Sequence, residues 1–189
     1  MGLATDQANA RHRFLLQSIK PASLGLRSVI NPAENESLLS KRRAGKIVTS
    51  AGRLRCIQGR WWPYLGNHLD ILWDTSVRSM QSDVCELYYH APLACPRFLT
   101  LSYVRSGPKT SLSTFYAATL MLDEIARLKQ TGAIVCNVSS DRLTDRLLAR
   151  WGWDEHCESW TGRHFIKRLY GDYPRIPEVW RKRLRLSRS

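Results

Sequence analysis

Between an apolar run, Phe98–Val104, and an amphipathic segment opening at Ser111 lies Arg105-Ser106-Gly107-Pro108-Lys109-Thr110. Two cations, a glycine and two hydroxyls at a strand-to-helix turn have the chemistry to hold a phosphate. A helix start offers unpaired N–H donors and a partial positive charge. Arg105 and Lys109 add charge-assisted bonds to phosphate oxygens, whereas Pro108 removes one donor. The plainer alternative is a simple turn before a helix capped by Ser111 or Ser113. One strand earlier, alternation places Glu86, Tyr88 and His90 on a single face, three side chains able to exchange protons.

Other spacings suggest other chemistry. Cys85, His90 and Cys95 fit three ligands of a zinc knuckle, but the fourth position is Ser82, and a structural zinc takes four ligands. His156, Cys157 and His164 around a hairpin, with Cys136, read better as a buried thiol and surface imidazoles, so no metal is expected. Gly107-Pro108-Lys109-Thr110 echoes the end of a nucleotide-binding loop. Tyr103 stands where that motif needs its first glycine, which argues against NTP hydrolysis. The C-terminal stretch from Tyr173 through Trp180-Arg181-Lys182-Arg183 mixes rings with cations, as a surface stacking bases and neutralising phosphates would.

The elements that must position these groups follow from periodicity. Leu54–Ile57, Val84–Tyr89, Phe98–Val104 and Ala133–Val138 read as strands, the last apolar enough to be covered on both faces. Ser111–Gln130 is a helix with Phe115, Ala118, Leu122 and Ile125 on one face and Gly132 at its C-terminal stop. A second helix, capped by Asp141, runs to Trp151, and Leu69–Met80 has helical spacing. Trp61-Trp62-Pro63 marks a turn or strand end. Glu155–Trp160 and His164–Leu169 form a hairpin around Thr161-Gly162. Because one helix joins Phe98–Val104 to Ala133–Val138, those strands run parallel. The fold class is therefore α/β (α+β), a mixed and mostly antiparallel sheet with a central parallel pair and flanking helices.

This order of elements resembles the C-terminal half of the GNAT acyl-CoA N-acyltransferase superfamily over about residues 98–170. The resemblance implies either an acyl-CoA-dependent N-acyltransferase or a diverged, inactive binding version of that fold, with a cofactor, acyl-CoA (acetyl-CoA), lying between splayed parallel strands and an amine acceptor as partner. Cofactor contacts would come from Val104, Arg105, Ser106, Gly107, Lys109, Thr110, Ser111 and Asn137. Candidate catalytic groups are Glu86 as base, with Tyr88 and His90 as acids or substrate contacts. The chain departs from the family pattern at its loop, where the glycine comes one place early. It departs again at Leu148, where the family often has a catalytic tyrosine.

Bulk properties set limits. The 189 residues carry a net charge of +13, and the excess sits at the ends. Residues 1–60 hold 11 Lys and Arg against 3 Asp and Glu, and residues 161–189 hold 9 against 2. We therefore expect a weakly ordered basic arm at 1–45, an α/β domain at 46–171 and a basic tail at 172–189. The alternative function is non-specific nucleic-acid binding through those cationic arms. Five cysteines without a Cys-x-x-Cys pair point to reduced thiols. No apolar run reaches the roughly 18 residues of a membrane span, and the reading is a cytoplasmic protein.

Overall fold

The computed structural model describes residues 27–60, 82–138, 143–157 and 159–187. The segments read as a helix at 69–80 and a turn at 61–63, with Asp141 and the N-terminal arm to residue 26, lie outside them. Within them the chain runs through a short 3₁₀ turn (Pro32–Glu34), α1 (Glu36–Lys41), β1 (Ala44–Ser50), β2 (Arg53–Gly59) and β3 (Val84–His90). Next come β4 (Phe98–Ser106), α2 (Leu112–Leu128), β5 (Ala133–Asn137) and α3 (Asp145–Arg150). The chain finishes with β6 (Asp154–Glu155), β7 (His164–Arg168) and α4 (Glu178–Leu184).

The strands form one seven-stranded sheet in the order β2-β1-β3-β4-β5-β7-β6. Every neighbouring pair is antiparallel except β4 and β5. The fold is thus a mixed, mostly antiparallel sheet with one parallel pair and flanking helices. β1 had no counterpart in the sequence reading. Its polar outer face (Lys46, Ser50) hides an inner face of Ile47 and Thr49, both fully buried. The β1–β2 turn is Ala51-Gly52, both at positive φ, the geometry that matches hairpin twist.

Helix α2 is the centre of the fold, lying across the inner faces of β1 and β3. Its residues are buried nearly all round because the sheet covers one side while α1 and α4 pack on others. Ser111 caps it, accepting from Thr114 N at 3.2 Å. Thr114 ties the helix to the hairpin, with its carbonyl accepting from Thr49 Oγ1 and its hydroxyl accepting from Gly52 N, both at 2.8 Å. The helix stops earlier than Gly132. Gln130 takes the left-handed position at φ 54°, with Gln130 N bonding Arg127 O and Thr131 N bonding Ala126 O. Those paired bonds satisfy the last carbonyls, so glycine is not required there.

α2 also carries a buried charge, Asp123, which accepts from Lys167 Nζ of β7 at 2.7 Å. Both are over nine-tenths buried, so the pair rivets helix to sheet.

The folded unit reaches further at both ends than 46–171. Val29 and Ile57 exchange two backbone hydrogen bonds of 2.8 Å, and Leu39 of α1 is fully buried. At the other end Leu184 is fully buried, and Trp180 meets Tyr116 of α2 edge-on at 5.3 Å. The stretch after Tyr170 reads as prolyl and basic, yet its sparse apolar residues recur at helical spacing and dock α4 on α2 and β2.

Candidate active site

The parallel pair holds together for four residues only. Phe98, Leu99, Thr100 and Leu101 pair with Ala133, Ile134, Val135 and Cys136. Past that point β4 runs on to Ser106, while Asn137 of β5 pairs away with His164 of β7. Among the described residues, no strand lies on the β5 side of β4 from Ser102 onward, while β3 stays paired along its other edge. The cause is local. Tyr88 pairs with Tyr103 but Tyr89 pairs with Leu101, so Ser102 is an extra residue, and a bulge of this kind bends and twists its strand.

A cavity of about 430 Å³ opens in this fork, a size typical of small-molecule sites. β4 contributes Leu101 through Val104 and Ser106, and β5 contributes Cys136 and Asn137, followed by Val138. The floor is Phe115 and Thr119 of α2. Leu143, Leu148 and Trp153 close the far side. Among the described residues no Asp, Glu, His, Lys or Arg lines it. Cys136 does, but burial pushes its thiol up to about 12, only partly offset by a backbone bond at Phe165, so it is inert as a nucleophile near neutral pH.

The expected phosphate loop is partly spent on itself. Gly107 N donates to Thr110 Oγ1 at 2.9 Å, Thr110 N donates to Gly107 O, and Thr110 Oγ1 donates to Val84 O. Ser111 N and Oγ donate to the carboxylate of Asp83. Burial would raise the Asp83 pKa, but those bonds and one from Thr114 hold it below the usual carboxylate range. A fixed anion from the start of β3 therefore already sits at the start of α2. Of the eight residues expected to contact a cofactor, Val104, Ser106, Thr110, Ser111 and Asn137 line the cavity; Arg105, Gly107 and Lys109 do not. Arg105 is on the opposite sheet face, its guanidinium 3.7 Å from Glu86.

Glu86, Tyr88 and His90 do share one face of β3, the one turned away from α2. Glu86 is held by Lys46 at 3.2 Å and accepts from Tyr88 Oη at 3.0 Å. Burial, then the Glu86 charge beside it, raises the Tyr88 phenol well above its ordinary value. Neither lines the cavity. His90 differs, because its Nδ1 lies 2.7 Å from Ser102 Oγ, and Ser102 lines the fork. Burial lowers the His90 pKa, so the ring is neutral near pH 7. Sequence reasoning missed Ser102. The signal was the adjacent pair Tyr103-Val104 interrupting the Leu99, Leu101 alternation, which a bulge resolves.

The zinc spacing comes apart in three dimensions. Cys85 points to the core and His90 to the opposite face, while Cys95 is exposed. Among the described residues no three His, Cys, Asp or Glu side chains converge as a metal site. None of their helices is long and apolar enough to cross a membrane.

Comparison with protein-family models, curated proteins and solved structures finds no match. The site's own geometry therefore carries the functional argument.

Proposed function

We propose that this chain is an acyl-CoA-dependent N-acyltransferase of GNAT-like architecture, using an acetyl-CoA-type thioester and an amine acceptor. The observation that supports this most is the parallel fork, which opens where β4 runs past its last pair with β5 into a cavity that no charged side chain lines among the described residues. A pantetheine arm is long, flexible and amide-bearing, so it suits apolar walls with a strand edge alongside. Serine and threonine hydroxyls from β4 and the loop, with Asn137, supply the few polar contacts.

The diphosphate end fits the turn less fully than the motif suggests. With Ser111 N taken by Asp83, Lys109 and the first-turn amides of Leu112 and Ser113 remain to meet it. The cationic reading of the chain has its own difficulty. Trp180, the ring best placed among the C-terminal cations, is packed against Tyr116 and covered by Arg183 at 4.9 Å, so base stacking is not open to it.

Thermal melting separates the two. A ligand of the native state raises the melting temperature, so acetyl-CoA should shift it upward while a single-stranded RNA leaves it unchanged. A shift with RNA alone, lost at high salt, would favour the nucleic-acid reading instead.

A further inference from the structure

Transfer to an amine requires that the nitrogen lose a proton, yet no charged side chain among the described residues lines the fork. Glu86, the carboxylate of the neighbouring strand, is engaged by Lys46 and Tyr88 and is not among the lining residues. One lining group is coupled to a base. Ser102 sits on the bulge where the strands part, in contact with His90 Nδ1 at 2.7 Å. The parallel register makes Ser102 and Asn137 the next residues after the last pair, Leu101 and Cys136, so one stands on each strand where the fork opens.

We infer that His90 is the base of the transfer and that Ser102 conducts the proton to it. The inference rests on the acyltransferase reading and assigns its proton path. As the amine nitrogen bonds the thioester carbonyl carbon, its proton passes to Ser102 Oγ, whose own proton passes to His90 Nδ1. The C–S bond breaks with its electron pair on sulfur, and the imidazolium returns its proton to the leaving thiolate through solvent. Burial favours the neutral, proton-accepting ring. Among the described residues, ionisable groups on that sheet face include Lys46 of β1, Arg53 and Cys56 of β2, Tyr103 and Arg105 of β4, Glu86 and Tyr88 of its own strand, His164 and Arg168 of β7, and Arg60, stacked over Tyr88.

The test uses the full chain, acetyl-CoA and two surrogate acceptors, with release of free thiol as the readout. The free-amine form of n-butylamine attacks, and its strongly basic nitrogen holds the proton in the adduct and depends on a base to lose it. The much less basic nitrogen of hydroxylamine gives its proton to water readily and depends on the relay far less. Ser102→Ala and His90→Gln should each lower kcat with n-butylamine by roughly 100-fold, in the range of general-base contributions. Their hydroxylamine rates and KM for acetyl-CoA should change far less, and Ser102→Thr, which retains a hydroxyl, should lose less of the n-butylamine rate than Ser102→Ala. In wild type the rate should rise with pH through an ionisation below the ordinary histidine range, and His90→Gln should lose it. Equal losses with both acceptors, wild-type rates in Ser102→Ala, or an acetyl group trapped on Ser102 would each overturn the relay. Acetyl-CoA stabilisation persisting in those variants would leave the acyltransferase reading standing. If wild type neither releases thiol nor is stabilised by acetyl-CoA, that reading fails and the relay with it.

Discussion

Replacing Lys167 with methionine should destabilise the protein by about 3–5 kcal/mol, the usual cost of removing one partner from a buried ion pair. Lys167 and Asp123 meet at 2.7 Å with side chains 7% and 4% exposed. Without the ammonium, the Asp123 carboxylate would stay buried, and one of its oxygens, Oδ1, has no hydrogen-bond partner among the described residues. The double variant Lys167→Met, Asp123→Leu should recover most of the loss, since an apolar pair of similar volume removes the stranded charge. The pH dependence has a definite sign. Burial raises the Asp123 pKa, with the Lys167 charge opposing it. A group raised on folding contributes stability below its unfolded pKa and loses it as pH rises through the folded pKa. Removing Lys167 enlarges that upward push, so the variant's deficit should be full near neutrality and narrow as the solution is acidified. Urea melts of both proteins across that range measure it. A constant deficit at all pH values would mean that Lys167 contributes by packing alone.

Filling the fork should silence ligand binding without unfolding the chain. Thr119 is buried on α2, its hydroxyl donates to Tyr116 O one turn back, and the residue lines the cavity. Phenylalanine at this position extends into open space, so the unliganded melting temperature should stay close to wild type. Acetyl-CoA at 100 times its Kd stabilises a one-site protein by about 2.7 kcal/mol. Thr119→Phe should abolish that increment, as seen by melting with and without acetyl-CoA. An undiminished shift would place the ligand elsewhere on the molecule.

These effects depend on features that differ in how plainly the chain announces them. Strands β3 and β4, helix α2 and the parallel placement of β5 follow from runs such as Ala133–Val138 and the apolar face of α2, where local pattern and tertiary burial agree. β1 escaped because its inner face alternates with lysine and small residues, its tight turn to β2 is only Ala51-Gly52, and its other partner, β3, is remote in sequence. The Gln130 stop escaped because a non-glycine residue accepts left-handed geometry when two backbone bonds repay it. The site was harder still. The reading placed Arg105 toward the ligand, but strand register sends it to the face of Glu86. It treated the turn's amides as open, whereas Asp83, 28 residues upstream of Ser111, reaches one of them. Ser102 gains its meaning from a bulge, and a bulge is set by pairing with β3 rather than by composition.

Amide shift mapping of the isotope-labelled protein with acetyl-CoA tests the fork most directly. The largest changes should fall on Leu101–Ser106, on residues 136–138 and on the first turns of α2, with the outer strands β2 and β6 unmoved. If acetyl-CoA leaves those amides where they were, or moves only the cationic helix α4, the space between β4 and β5 is not the binding site.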